Sequence, residues 1–98
     1  MKVVKLSHPN YEYDVHSLVK AFYAEDQVTV ITPETKPEKL AELEPQVSLE
    51  IELAETGAKI RVGEEDFLWD AETENLADGY KNGLKRFLYR TLSKVTGQ

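Results

Sequence analysis

The 98-residue sequence contains no cysteine. That excludes a disulfide, a thiolate metal site, a cysteine nucleophile and a cysteine-ligated iron–sulfur cluster from anything this chain supplies by itself. Long apolar runs are missing as well. The stretch after Met1, KVVKLSHPN, is too short for a signal peptide, and nothing approaches the roughly 20 apolar residues that cross a bilayer. The reading is a cytoplasmic protein with no membrane segment. Excess positive charge is also lacking: a formal net charge of −6 favours solubility and opposes nonspecific nucleic-acid binding by the chain as a whole. There is neither an internal repeat nor a low-complexity tract.

What is present is a single domain's worth of chain, residues 1–98. Folded, it buries roughly 60 to 65% of the unfolded chain's surface, enough for one sheet covered by helices. Its charge is unevenly placed. Residues 81–98 hold five Lys or Arg and no acid, whereas residues 1–80 hold seven bases and all eighteen acids.

Hydrophobic spacing predicts the elements. Lys2 to Leu6 is a short β-prone run that stops at Ser7-His8-Pro9-Asn10. Val15, Leu18, Val19 and Phe22 recur at helical intervals, so a helix is expected from about Tyr11 to Ala24, capped by the Asn10 side chain. Gln27 to Thr32, rich in β-branched residues and closed by Pro33, reads as a second strand parallel to the first. Pro33 to Pro45 reads as the most loop-like part, with one or two helical turns over Glu38 to Leu43.

Strict alternation follows, at Val47, Leu49, Ile51 and Leu53, then at Ala58, Ile60 and Val62. A Thr56-Gly57 turn would set Leu53 opposite Ile60, Ile51 opposite Val62 and Glu52 opposite Arg61. Gly63 to Asp70 breaks that alternation, with Phe67 and Trp69 either continuing the sheet edge or folding under the last helix. Asp70 is the expected cap of a final helix in which Glu72 and Glu74 suit the start and Arg90 and Lys94 the end. Leu76, Tyr80, Leu84, Phe87, Leu88, Leu92 and Val95 share its apolar side. Gly79 and Gly83 weaken its middle, where it bends or starts. The fold class is α+β: a four-stranded mixed sheet with two helices on one face, in the order β-α-β-β-β-α.

Each chemical motif has a plain counterpart. His8 and His16, with Glu12 and Asp14, form the one imidazole–carboxylate cluster, but a turn and a polar helix side are ordinary places for titrating surface residues. Glu64-Glu65-Asp66 lacks the spaced oxygens and glycine turn of a calcium loop, and Glu50, Glu52 and Glu55 line a hairpin's outer side. Gly79-x-x-x-Gly83 has no phosphate-binding frame around it, and a helix this charged is not a membrane span. No nucleophile–base pair and no ligand set for a hydrolase or metal enzyme is present, so no catalytic, cofactor-binding or metal residue is assigned. Lys85, Arg86, Tyr89, Arg90 and Lys94 spread over the arc opposite Leu84. An aromatic ring among long basic stems is a contact residue for another domain or for RNA, and with an acidic chain behind it a protein contact is preferred.

The run KNGLKRFLYRTLSKVTG resembles the segment, K-x-x-L-K-R-x-L-Y-x-x-L-x-x-x-T-G, that precedes the barrel of the Firmicutes-type oxygen-independent coproporphyrinogen III oxidases (coproporphyrinogen dehydrogenases) of the radical SAM family. Matching positions are Lys81, Leu84, Lys85, Arg86, Leu88, Tyr89, Leu92, Thr96 and Gly97. Tyr11 to Phe22 (YEYDVHSLVKAF) is similar to the start of those proteins, more loosely, and the two stretches cover about a third of the chain. Residues 33–78 match nothing in the family.

The resemblance implies an accessory N-terminal domain, noncatalytic alone, cut from an enzyme that oxidatively decarboxylates coproporphyrinogen III to protoporphyrinogen IX in haem biosynthesis. The iron–sulfur cluster and S-adenosylmethionine would belong to the radical SAM barrel of the same polypeptide, which is the implied partner. Lys85, Arg86, Tyr89 and Arg90 are the expected interdomain contacts. The alternative is a free-standing module that binds a protein or structured RNA through the basic final helix.

Overall fold

The computed structural model describes residues 1–24, 27–71 and 79–97. Among them the chain forms β1 (Lys2–Leu6), α1 (Glu12–Tyr23), β2 (Val28–Ile31), α2 (Pro37–Leu43), β3 (Val47–Ala54), β4 (Gly57–Val62), β5 (Glu65–Asp70) and α3 (Tyr80–Thr96), with a 3₁₀ turn over Glu44–Gln46. The sheet order is β2-β1-β3-β4-β5. β1 is parallel to both β2 and β3, and the last three strands are antiparallel, so the α+β class and mixed sheet hold.

Strand and helix counts both differ from the sequence reading, with five strands in place of four and three helices in place of two. The fifth strand is the last six residues of GEEDFLWD, Glu65–Asp70. Phe67 and Trp69 turn inward under α3 as the edge of the sheet, while Leu68 between them points out and stays 78% exposed. That outward leucine hides the alternation. Gly63, with φ 62°, opens the two-residue β4–β5 loop, where a turn matching the sheet's twist needs the left-handed region. Asp70 is the last residue of β5, and the N-cap position of α3 belongs to Gly79. The helix begins at Gly79, whose φ is 90°, and Glu72, Glu74 and Leu76 lie outside the described residues.

The third helix is α2, which falls on the one or two turns expected over Glu38 to Leu43 within the otherwise loop-like segment. Pro37 sits in its first turn, where a missing N–H costs nothing. Leu40 and Leu43, one turn apart, pack on Val3, Ile31 and Val47, on the opposite side of the sheet from α1 and α3. The two proline-flanked turns therefore cover a face that a two-layer reading left bare. A bulge in the β1–β3 pairing, where Val3 meets Val47 but Val4 meets Leu49, moves Val47 onto this second cluster and off the row of Leu49 and Ile51.

The hairpin register is also corrected. Its loop is Glu55-Thr56, so Leu53 meets Ala58, Ile51 meets Ile60, Leu49 meets Val62 and Glu52 meets Lys59. A shift of two residues preserves inside and outside, and the apolar pattern is equally content with either pairing. Gly57 decides it. It is the first residue of β4, and a Cβ there would run into the Trp69 carbonyl of β5.

α1 and α3 lie side by side over the other face and run in the same direction: Tyr11 meets Tyr80 at their starts and Phe22 meets Tyr89 further along. Val4, Leu6, Leu49, Ile51 and Ile60 below them, with Val15, Val19, Leu84, Leu88 and Leu92 above, form the main core. Each fully buried leucine there contributes about 1.5–3 kcal/mol of transfer free energy. Asn10 does not cap α1. Its N–H donates instead to His8 Nδ1, and the capping position belongs to Tyr11 in the left-handed region, φ 67°.

Candidate functional site

Helical geometry divides α3 as the sequence did, into a buried and an exposed side. Leu84, Phe87, Leu88, Thr91 and Leu92 are buried, while Tyr89 is 58% exposed. The cations do not form one patch. Lys81 and Lys85 lean toward α1, with Nζ atoms 3.6 and 3.9 Å from the Asp14 carboxylate. Arg90 and Lys94 lie on the other flank, lining a 440 Å³ groove against β5 with Phe67, Leu68, Phe87 and Thr91. Lys94 Nζ stands 5.9 Å from the Phe67 ring centre, within reach of a cation–π attraction.

Of the four expected contact residues, Lys85 and Tyr89 thus sit on the α1 side, Arg90 on the β5 side and Arg86 on the exposed crest between them. Tyr89 sets its ring edge-on to Phe22, with centroids 5.1 Å apart. Lys85 is already held by Asp14. Tyr89, Arg86 and Arg90 are the exposed residues of this surface.

The imidazole–carboxylate cluster does not assemble. His16 Nε2 is 2.8 Å from the Val28 carbonyl, Asp14 faces Lys81 and Lys85, and His8 belongs to the β1–α1 loop. Among the described residues no group of three or more His, Asp or Glu side chains is placed to hold a metal. The acidic run Glu64-Glu65-Asp66 is also dispersed. Asp66 accepts two hydrogen bonds from Arg61, at 2.7 and 3.2 Å, across the β4–β5 pair. That contact holds the Asp66 carboxyl below its usual range and raises the Arg61 guanidinium.

Sequence reasoning missed a second concavity. A cleft of 610 Å³ opens at the carboxyl ends of β1 and β3, lined by His8, Asn10 and Tyr11 of the β1–α1 loop, by Leu53, Ala54 and Glu55, and by Tyr80. Tyr80 is anchored: its hydroxyl donates to the Gly57 carbonyl at 2.8 Å, and burial raises its pKa. Tyr80 also lies 5.8 Å from Tyr11 and 5.2 Å from Trp69, which continues to Phe87 at 6.0 Å. Four aromatic rings therefore run from the cleft into the core. The Trp69 indole N–H is buried with no hydrogen-bond partner among the described residues. Only the β1–β3 pairing brings His8 and Glu55 together, and no local spacing announces it.

No protein-family model, curated protein or solved structure matches this chain.

Proposed function

We propose that the chain is the noncatalytic N-terminal domain of an oxygen-independent coproporphyrinogen III oxidase-like radical SAM enzyme of haem biosynthesis. The observation that carries the reading is where the residues of the resembling run fall on α3. Leu84, Leu88 and Leu92 are buried and serve this fold's own core. Arg86 and Tyr89 are exposed, so the core does not require them, and they match the same run. Their exposed surface is open to a neighbour, and the radical SAM barrel that would follow is the natural occupant.

The residues present do not fit the family's cofactors. Without cysteine there is no thiolate for an iron–sulfur cluster, so cluster and S-adenosylmethionine belong to the barrel, as does the oxidative decarboxylation of coproporphyrinogen III. This domain's part is to dock, through Arg86, Tyr89 and Arg90, with Lys85 fixing the helix against α1.

Reading the source gene past codon 98 tests the proposal. The frame is expected to continue and to encode a cysteine-x-x-x-cysteine-x-x-cysteine motif soon after. A stop codon directly after Gln98 would turn the argument toward a free-standing module, and loss of captured protein or RNA on changing Arg86, Tyr89 and Arg90 to alanine would then establish it.

A further inference from the structure

The strand order reverses at β1. The chain passes from β1 through α1 to β2 on one side, then returns through α2, on the opposite face of the sheet, to β3 on the other side. In open sheets with parallel strands, ligands sit beyond the carboxyl ends of the strands where this reversal occurs. Here that place is the crevice between the ends of β1 and β3, and the 610 Å³ cleft lies there. Its volume is in the range of small-molecule sites.

Its lining chemistry is specific. Tyr11 and Tyr80, ring centres 5.8 Å apart, supply an aromatic wall held rigid by the Tyr80 hydrogen bond to Gly57. His8 Nδ1 accepts the Asn10 N–H, so in the neutral ring the proton is on Nε2, which becomes a donor. Glu55 is an acceptor, and Asn10 offers both. Among the described residues the lining includes no Lys or Arg.

From these features we infer that the cleft is a binding site for a planar, uncharged nitrogen heterocycle bearing N–H donors, the chemistry of a free base or nucleoside. The heterocycle stacks on the tyrosine wall, donates to Glu55 and accepts from His8 Nε2. A phosphorylated ligand fits less well, because among the described lining residues the one formal charge is the Glu55 carboxylate. The inference stands apart from the haem-biosynthesis reading and is tested separately.

Adenosine is the probe, titrated into the isotope-labelled 98-residue chain at millimolar concentration while backbone amide shifts are followed. Shifts confined to residues 8–12, 53–57 and 79–81 are expected, with adenosine monophosphate binding more weakly. Tyr11→Gly removes one ring at a position whose backbone, φ 67°, suits glycine, so the fold survives and affinity is expected to fall about tenfold. Glu55→Gln, in an exposed loop, is the second variant and also weakens binding. An absence of shifts at these residues, shifts unchanged in both variants, or monophosphate binding as tight as adenosine overturns the inference.

Discussion

Tyr89 meets Phe22 edge-on, at 72° between ring planes, and still keeps more than half of its surface in solvent. A ring so placed contributes little to the domain's own stability relative to what it can offer a partner. Changing Tyr89 to alanine is expected to cost about 1 kcal/mol, the edge-to-face contact and little more. Leu92→Ala, three residues on and fully buried, is expected to cost about 2–5 kcal/mol. Urea unfolding of both variants checks the pair; equal losses would contradict the assignment of inner and outer faces.

Ala24 closes α1 in the left-handed region, φ 48°, with its N–H donating to the Lys20 carbonyl. Its side chain is exposed and a β-carbon is strained there. Ala24→Gly should therefore stabilise the chain by roughly 1 kcal/mol, an increase of about 4–8 °C in Tm. Thermal unfolding followed by circular dichroism measures it, and a lower Tm would refute the strain argument.

Gly57 makes the opposite case. A methyl group at this position meets the Trp69 carbonyl, which is backbone and cannot swing aside. Gly57→Ala should cost about 2 kcal/mol or more and disturb the β4–β5 pairing, visible as lost amide protection in residues 57–62 and 65–70. Unchanged hydrogen exchange in both strands would show that the close approach is not needed.

Arg61 and Asp66 make stability depend on pH in a defined direction. The Asp66 carboxyl titrates below its ordinary value in the fold because Arg61 hydrogen-bonds its charged form. A carboxyl depressed in this way stabilises the folded state fully above its unfolded pKa, and the contribution disappears as pH falls through the folded value. The stability deficit of Arg61→Ala should thus be largest near neutral pH and shrink as pH falls through the range in which the carboxyl is protonated. Both groups are exposed, so added salt should reduce it as well. A deficit that grows on acidification would contradict the pairing.

How far the sequence could be read follows from the range of the interactions involved. β1, the core of α1 and the buried side of α3 are local patterns, and Leu84, Leu88 and Leu92 lie where their spacing puts them. The α2 packing depended on Val3 and Ile31, distant in sequence, giving Leu40 and Leu43 a surface to cover. The hairpin register rested on Gly57 beneath a strand that Leu68 disguised. The cleft was illegible for the same reason: His8, Glu55 and Tyr80 come from three separate stretches and meet only after β3 pairs with β1.

The shared direction of α1 and α3 has a consequence for assembly. Tyr80 opens α3 at the rim of the cleft, and the helix then travels 17 residues, about 25 Å, before Gly97 ends it at the far pole. A barrel tethered after Gly97 would be fed from that distant pole. Reach, and not only affinity, would keep the mouth of the cleft clear, so a small molecule could come and go while such a partner stays joined.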